Sequence, residues 1–241
     1  MYLYETHLHT SPVSACATAS VRENLEYYKS LGYDGVFITD HFIDGNIGGD
    51  RSLPWEQQLC FYCSAYEEGK AIGKELGLKV FFGVECSYKG TDFLLYGLTY
   101  SRLKEFSHWK EMKKSQLLAQ LKEEGVLVIQ AHPFREASYI DHIRIYPPQI
   151  HGVEIYNACR EERTNRMAAL FAREYELIPF AGTDNHSGNK MKRLGGMAAK
   201  TPLVDEADFV RRVLAGEMTP FAMNAKEPTK LQIDYLTEER N

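Results

Sequence analysis

The chain has 241 residues, 44% of them hydrophobic and 25% charged, with a formal net charge of -5. That length fits one large α/β barrel domain or two small domains. The acidic balance argues against a nucleic acid partner, and no apolar run reaches the roughly 18 residues that a membrane span needs. The chain opens with MYLYETH, which shows no basic segment, apolar core or cleavage site of an export signal, so a cytoplasmic location is expected.

Residues 2–7 form the first predicted strand. Residues 20–32 read as a helix, with Ser20 and Glu23 at capping-box spacing and Gly32 as its stop. Residues 34–41 are a short apolar run of the buried-strand type. A glycine-rich stretch, 43–55, follows and is a candidate lid. Next come a helix over 55–76 that closes at Gly77, strands over 78–86 and 92–98, and a helix over 108–124 that stops at Gly125. Strands at 126–133, 152–157 and 177–186, a helix at 161–176, a helix at 205–216 and a strand at 219–223 complete the pass. Apolar runs without alternation, separated by helices, indicate parallel strands covered on the outside. Six or seven β/α units imply a barrel of the α/β class. No repeat, low-complexity tract or linker interrupts it, so residues 1–241 are expected to form a single domain. The five cysteines, an odd number, fit reduced thiols rather than a disulfide framework. Cys60 and Cys63 lie in a helical stretch and read as two packed thiols.

The ends of the predicted strands carry the chemistry. His7 and His9 flank one residue and point to the same side of a strand. Later runs end in Asp40-His41, in Glu85, in His132-Pro133 and in Asp184-Asn185-His186, and another carries Glu154 and Asn157. In a β/α barrel those ends converge on one mouth. His108, His142 and His151 fall in helical or loop segments and receive no role. Imidazoles mixed with carboxylates suit zinc, iron or manganese, and a set of this size exceeds one tetrahedral ion. Glu85 has two oxygens and is placed to bridge two ions.

His7-x-His9, Thr39-Asp40-His41, Gly83-Val84-Glu85, Ala131-His132-Pro133 and Gly182-Thr183-Asp184-Asn185-His186, in that order, resemble the PHP (polymerase and histidinol phosphatase) superfamily over essentially the whole chain. The resemblance implies a distorted (β/α)7 barrel, two or three divalent ions (Zn, Mn or Fe) at its C-terminal mouth, and phosphoester hydrolysis. Carried over by residue, His7, His9, Glu85 and Asp184 would hold the first ion, Glu85 and His132 the second, and His41 and His186 the third. Two positions depart from the family. An Asp or His is expected shortly after the His-x-His, where this chain has Ser14, Ala15 and Cys16. A further His is expected after the strand of Glu85, and residues 93–101 contain none.

The implied chemistry is attack by hydroxide from a metal-activated water on a small phosphomonoester, nucleotide-like or histidinol-phosphate-like. Asp184, His41 and His186 are the catalytic candidates, and either imidazole, when free of metal, would protonate the leaving oxygen. Arg135, Arg160 and Arg193 are the candidates for phosphate binding. Asp40 reads as holding a neighbouring ligand in place. Trp55, Tyr88, Tyr96 and Tyr100 are assigned to the core. Two other readings use the same residues: a hydrolase of C–N bonds, and a non-catalytic metal-binding module.

Overall fold

The structure is a computed structural model that describes residues 1–109 and 111–228 and, for the backbone alone, 230–231. β1 (Tyr2–Leu8) is buried from Tyr4 onward. α1 (Val21–Ser30) starts at the expected capping box, with the Ser20 hydroxyl accepting from the Glu23 amide and the Glu23 carboxylate accepting from the Ser20 amide. β2 (Gly35–Ile38), α2 (Trp55–Leu76) and β3 (Lys79–Tyr88) continue the β/α alternation, and β1, β2 and β3 pair in parallel.

At that point the chain departs from the expected repeat. β4 (Thr91–Tyr96) lies antiparallel to β3 and also to β5 (Leu127–Ala131). A parallel crossover takes a dozen residues or more, and only Lys89 and Gly90 separate these two strands. Both have positive φ, 49° and 79°, the geometry of a two-residue hairpin turn. A short α3 (Tyr100–Glu105) that was not expected precedes α4 (Lys114–Glu123), which occupies the later part of the helix expected over 108–124. β6 (Gly152–Asn157), α5 (Glu162–Glu174) and β7 (Ile178–Gly182) then restore parallel pairing.

The barrel nearly closes where β1 meets the segment after β7, with the His9 amide donating to the Asn185 carbonyl at 3.0 Å. Seven strands thus surround one interior, one of them reversed. β8 (Arg193–Ala199) and β9 (Met218–Asn224) continue the sheet outward from the start of β1, with α6 (Glu206–Leu214) between them in sequence and β10 (Lys230–Leu231) at the edge. β8 escapes a reading by pattern because Gly195 and Gly196 lower its strand signal. A Cβ on Gly196 would stand 2.1 Å from the Tyr4 carbonyl oxygen, so this close crossing of β1 requires glycine.

Aromatic side chains fill the lower half of the barrel. Phe37 stacks on Phe81 at 4.7 Å between ring centroids, and Phe209 of α6 packs against Phe37 at 4.3 Å. Tyr96 and Phe180 complete this plug, and all five are buried. Each large side chain removed from water contributes about 1.5–3 kcal/mol. The plug makes the lower barrel a packed core and leaves the upper end for polar groups. All five cysteines are free thiols.

Candidate metal centre

His7 and Glu85 lie within β1 and β3, and the other predicted ligands lie in the short turns just past the strands, since β1 stops at Leu8, β2 at Ile38, β5 at Ala131 and β7 at Gly182. Two of them hold left-handed backbone, His132 with φ 25° and Asp184 with φ 61°. For residues other than glycine such conformations cost about 1–2 kcal/mol and concentrate at functional sites. Here they turn both side chains inward.

The structure brings all seven predicted ligands together. His7 Nε2 stands 3.2 Å from Glu85 Oε1 and 3.5 Å from Asp184 Oδ1. His9 Nε2 lies 3.5 Å from Glu85 Oε2 and 3.4 Å from Asp184 Oδ1. His132 Nε2 is 3.6 Å from Glu85 Oε1, and His41 Nδ1 is 2.5 Å from Glu85 Oε2. Three adjoining groups result, namely His7, His9 and Asp184; His7, Glu85 and His132; and His9, His41 and His186. Within each, one donor atom per residue lies within 4.8 Å of the others.

The donor set fits divalent ions on the evidence of its own hydrogen bonds. His7 Nε2, His9 Nε2, His41 Nδ1 and Glu85 Oε2 are buried and make no well-aligned hydrogen bond, although His41 Nδ1 and Glu85 Oε2 stand 2.5 Å apart. Buried polar atoms without partners are rare and costly. The opposite side of each ring is well supplied. His7 Nδ1 lies 2.9 Å from Glu154 Oε1, and His186 Nδ1 lies 2.9 Å from the Asp184 carbonyl oxygen. Only acceptors stand there, so each Nδ1 carries a proton and Nε2 is the atom left to face an ion. His9 reaches the same state through Ser14, whose hydroxyl donates to Asp40 Oδ1 at 2.6 Å and therefore accepts from His9 Nδ1 at 3.0 Å.

Electrostatics divide the rings. Burial opposes a charged His7, but Asp184, Glu154 and Glu85 outweigh it and hold its pKa well above the usual histidine value. Burial, together with the nearby His186 and His41, pushes the His9 pKa well below the usual histidine value and keeps the ring neutral. Burial disfavours a charged Glu85, but His41, His7 and His9 outweigh it and hold the carboxyl well below its usual range. Burial likewise opposes ionisation of the Cys16 thiol, yet hydrogen bonds with His186 and His41 bring its pKa down to about 6.

Three buried carboxylates that the strand-end reading left without a role complete the frame. Glu154 accepts from the His132 amide and from Asn157 Nδ2 in addition to binding His7. Glu5 accepts from the amides of Thr6, His7 and Thr183, which fixes β1 to the turn that carries Asp184. Asp92 stands 3.8 Å from His132 Nε2 and 3.5 Å from Arg135 Nη2. It lies near the start of β4 because β4 runs away from the mouth, so a search beyond Phe93 for the missing histidine follows the strand in the wrong direction. Asp40 supports the centre as expected, through Ser14 and Thr10.

A cavity of about 510 Å³ opens over the centre. Arg135 and Arg160 line it, each with its Nε buried and without a hydrogen-bond partner, and Arg160 Nη2 is 3.1 Å from Asp184 Oδ2. Arg193 is not brought into this cavity. It is exposed and donates to the Arg160 carbonyl at 2.9 Å. The 43–55 loop reaches the cavity through Gly45 and Asn46 and is fastened to the first turn, with Ala15 N donating to the Asn46 carbonyl and Gly48 N to the Val13 carbonyl. A larger and more apolar cavity, about 640 Å³, lies toward the lower end beside Cys63, Tyr66, Phe82 and Leu98. Among the described residues it gathers no set of metal-ligating side chains, so chemistry is assigned to the smaller one. Among the described residues no helix is long and apolar enough to cross a membrane.

No family profile and no curated protein matches the chain in sequence. Solved structures do match its fold. A two-domain protein from Bacteroides vulgatus, containing a predicted PHP-like metal-dependent phosphoesterase, aligns with a TM-score of 0.64 at 14% identity, over 98% of this chain and 67% of that one. PsfC from Pseudomonas syringae aligns with a TM-score of 0.64 at 13% identity, over 98% and 93%. An amidohydrolase from Chromobacterium violaceum, with bound sulfate and no metal, aligns with a TM-score of 0.52 at 12% identity, over 94% and 98%. The fold of this chain is that of the PHP-like barrels.

Proposed function

We propose that this PHP-type barrel is a metal-dependent phosphoesterase acting on a small phosphomonoester, nucleotide-like or histidinol-phosphate-like. The observation that carries the reading is the set of buried imidazole and carboxylate ligand atoms beneath a cavity that Arg135 and Arg160 line. His7, His9, Glu85 and Asp184 would hold one ion, and Glu85, His132 and Asp92 a second. Divalent ions there would supply Lewis-acid assistance and a water acidic enough to lose its proton near neutral pH.

The remaining groups bind and orient the ester. Arg135 and Arg160 line the cavity, and a guanidinium keeps its charge under all relevant conditions. A cavity of about 510 Å³ suits a small molecule. With two ions bound, His186 faces the open side, its side chain 24% exposed, and is the group placed to protonate the leaving oxygen. The second reading, hydrolysis of a C–N bond, is favoured by the amidohydrolase among the structural neighbours. The two arginines that line the cavity weigh toward the phosphoester.

The test is elemental analysis of the purified protein combined with release of product from p-nitrophenyl phosphate and its bis ester under added manganese or zinc. The expected result is at least two ions per chain and metal-dependent release, preferring the monoester, with both lost in His9→Ala and Glu85→Ala. Bound metal with hydrolysis of amides and of neither ester would transfer the reading to C–N cleavage. A chain that binds no metal would overturn both.

A further inference from the structure

We infer that Glu154, which is a ligand to neither ion of the proposed centre, is the positioning residue on which the binding of both ions depends. The inference rests on the metal-dependent reading and assigns to one carboxylate the alignment of ligands carried by three strands. Glu154 stands within β6 and is fully buried. Its Oε1 lies 2.9 Å from His7 Nδ1, while its Oε2 accepts from the His132 amide at 3.1 Å and from Asn157 Nδ2 at 2.8 Å. Asn157 Nδ2 also stands 3.2 Å from Asp184 Oδ2. Glu154 thereby reaches His7 of β1, His132 after β5 and, by way of Asn157, Asp184 after β7.

The surrounding backbone is shaped to these contacts. His132 has φ 25°, and the bond from its amide to Glu154 fixes that left-handed turn. Gly182, the last residue of β7, leaves the room. A Cβ there would stand 2.8 Å from Glu154 Oε1 and 2.6 Å from the His7 Cβ. Asn157 is clamped by α5, its amide donating to Asn165 Oδ1 and its carbonyl accepting from Asn165 Nδ2, each at 3.1 Å. All three direct partners of Glu154 present a proton to it. A carboxylate accepts at both oxygens and offers no proton of its own, which is what such a position requires.

Glutamine fills the same space and cannot do the same work. With its Nε2 toward His7, the ring would have to accept at Nδ1 and carry its proton on Nε2, the atom needed for the first ion. With its Nε2 on the other side, it would confront the His132 amide and Asn157 Nδ2, both donors. Turning the Asn157 carboxamide to accept from the new amide would aim its oxygen at Asp184 Oδ2. The same rotation would aim its nitrogen at the Cys159 amide, from which Oδ1 now accepts at 2.9 Å. Each arrangement of Glu154→Gln therefore disturbs a proposed ligand without removing one.

The test uses the full chain and reads ion binding, not turnover. Competition with a chromogenic chelator gives the zinc affinity of each site, and the spin-coupled EPR spectrum of the manganese-loaded protein reports two ions held side by side. Glu154→Gln should weaken both zinc ions by about 10–100-fold and abolish the coupled manganese signal at concentrations that saturate the parent. Asn157→Ala cuts the arm to Asp184 and spares those to His7 and His132, so it should weaken one ion and leave the other near its parent affinity. Urea denaturation of the metal-free variants establishes that each is folded when its affinity is read. A merely structural role would lower that stability and leave the affinity of the folded protein unchanged. Parent affinity at either site in folded Glu154→Gln would overturn the inference and leave the phosphoesterase reading intact. If Glu154→Gln does not fold, Asn157→Ala decides, and parent affinity at both sites or an equal loss at both would overturn the inference. A parent chain that binds no ion would overturn both this inference and the phosphoesterase reading.

Discussion

At Ser14 one hydroxyl carries three hydrogen bonds, donating to Asp40 Oδ1 and accepting from His9 Nδ1 and the His41 amide. A hydroxyl has a single proton, so the bond to Asp40 dictates the tautomer of His9 and leaves Nε2 as the ligand atom. Ser14→Ala removes that control and keeps every proposed ligand. Its expected effect is a 10–100-fold loss of zinc affinity, measured by competition with a chromogenic chelator. The accompanying stability change should stay within about 1–3 kcal/mol, because Asp40 still accepts from the Thr10 amide and hydroxyl. Unchanged affinity would mean that His9 is not a ligand through Nε2. At this scale the sequence was informative about groups that touch the centre, because residue type and strand-end position announce them. It singled out Glu154 without a role and passed over Glu5, because both act through hydrogen bonds across 147 and 178 positions of chain.

Elements were legible where one turn leads to one strand and helix. β1 to β3, α1, α2 and the β6–α5–β7 unit follow from apolar runs, the Ser20 cap and the Gly77 stop. The reversal at β4 was not read, although Lys89-Gly90 between two apolar runs is a hairpin signal. That one reversal brings Asp92, near the start of β4, to the side of His132. The 43–55 loop presents a second matter of element packing. Lys114, the first residue of α4, is buried and places Nζ 3.0 Å from Asp44 Oδ2 and 3.2 Å from Cys86 Sγ, with Trp109 Nε1 also donating to Asp44. This pair ties α4 and the loop to the strand that bears Glu85. Lys114→Met strips the loop carboxylate of its buried counter-charge and should destabilise the fold by about 3–5 kcal/mol in urea denaturation. Asp44→Asn in the same chain should restore most of that loss. A cost below 1 kcal/mol for Lys114→Met would show that the pair is not what fastens the loop.

For the molecule as a whole, the barrel separates an apolar lower plug from an ionisable mouth. Site substitutions are therefore expected to act on metal binding more than on folding, and the pH dependence of stability has to be sought in part away from the centre. His151 offers such a position. It precedes β6, and its Nδ1 accepts a hydrogen bond from the Val128 amide at 3.1 Å at the start of β5, a bond that requires the neutral ring. Burial, with a smaller contribution from Lys122, lowers its pKa from the usual 6.5 to about 4. The unfolded chain then takes up a proton near pH 6.5 that the folded chain refuses until about pH 4. Between those values the unfolded state holds more protons, so stability falls as the pH drops through the window and is unaffected above it. The slope has a ceiling of about 1.4 kcal/mol per pH unit, and partial exposure of the ring reduces it. His151→Asn keeps an acceptor for Val128 and removes the titration. Urea denaturation of the metal-free proteins at pH 7, 6 and 5 should show a shallower decline for His151→Asn than for the parent. The subtraction cancels the mouth histidines, which both proteins share. Parallel curves would mean that His151 takes up its proton in the folded state at its ordinary value, and that the acid sensitivity of this barrel resides at the mouth alone.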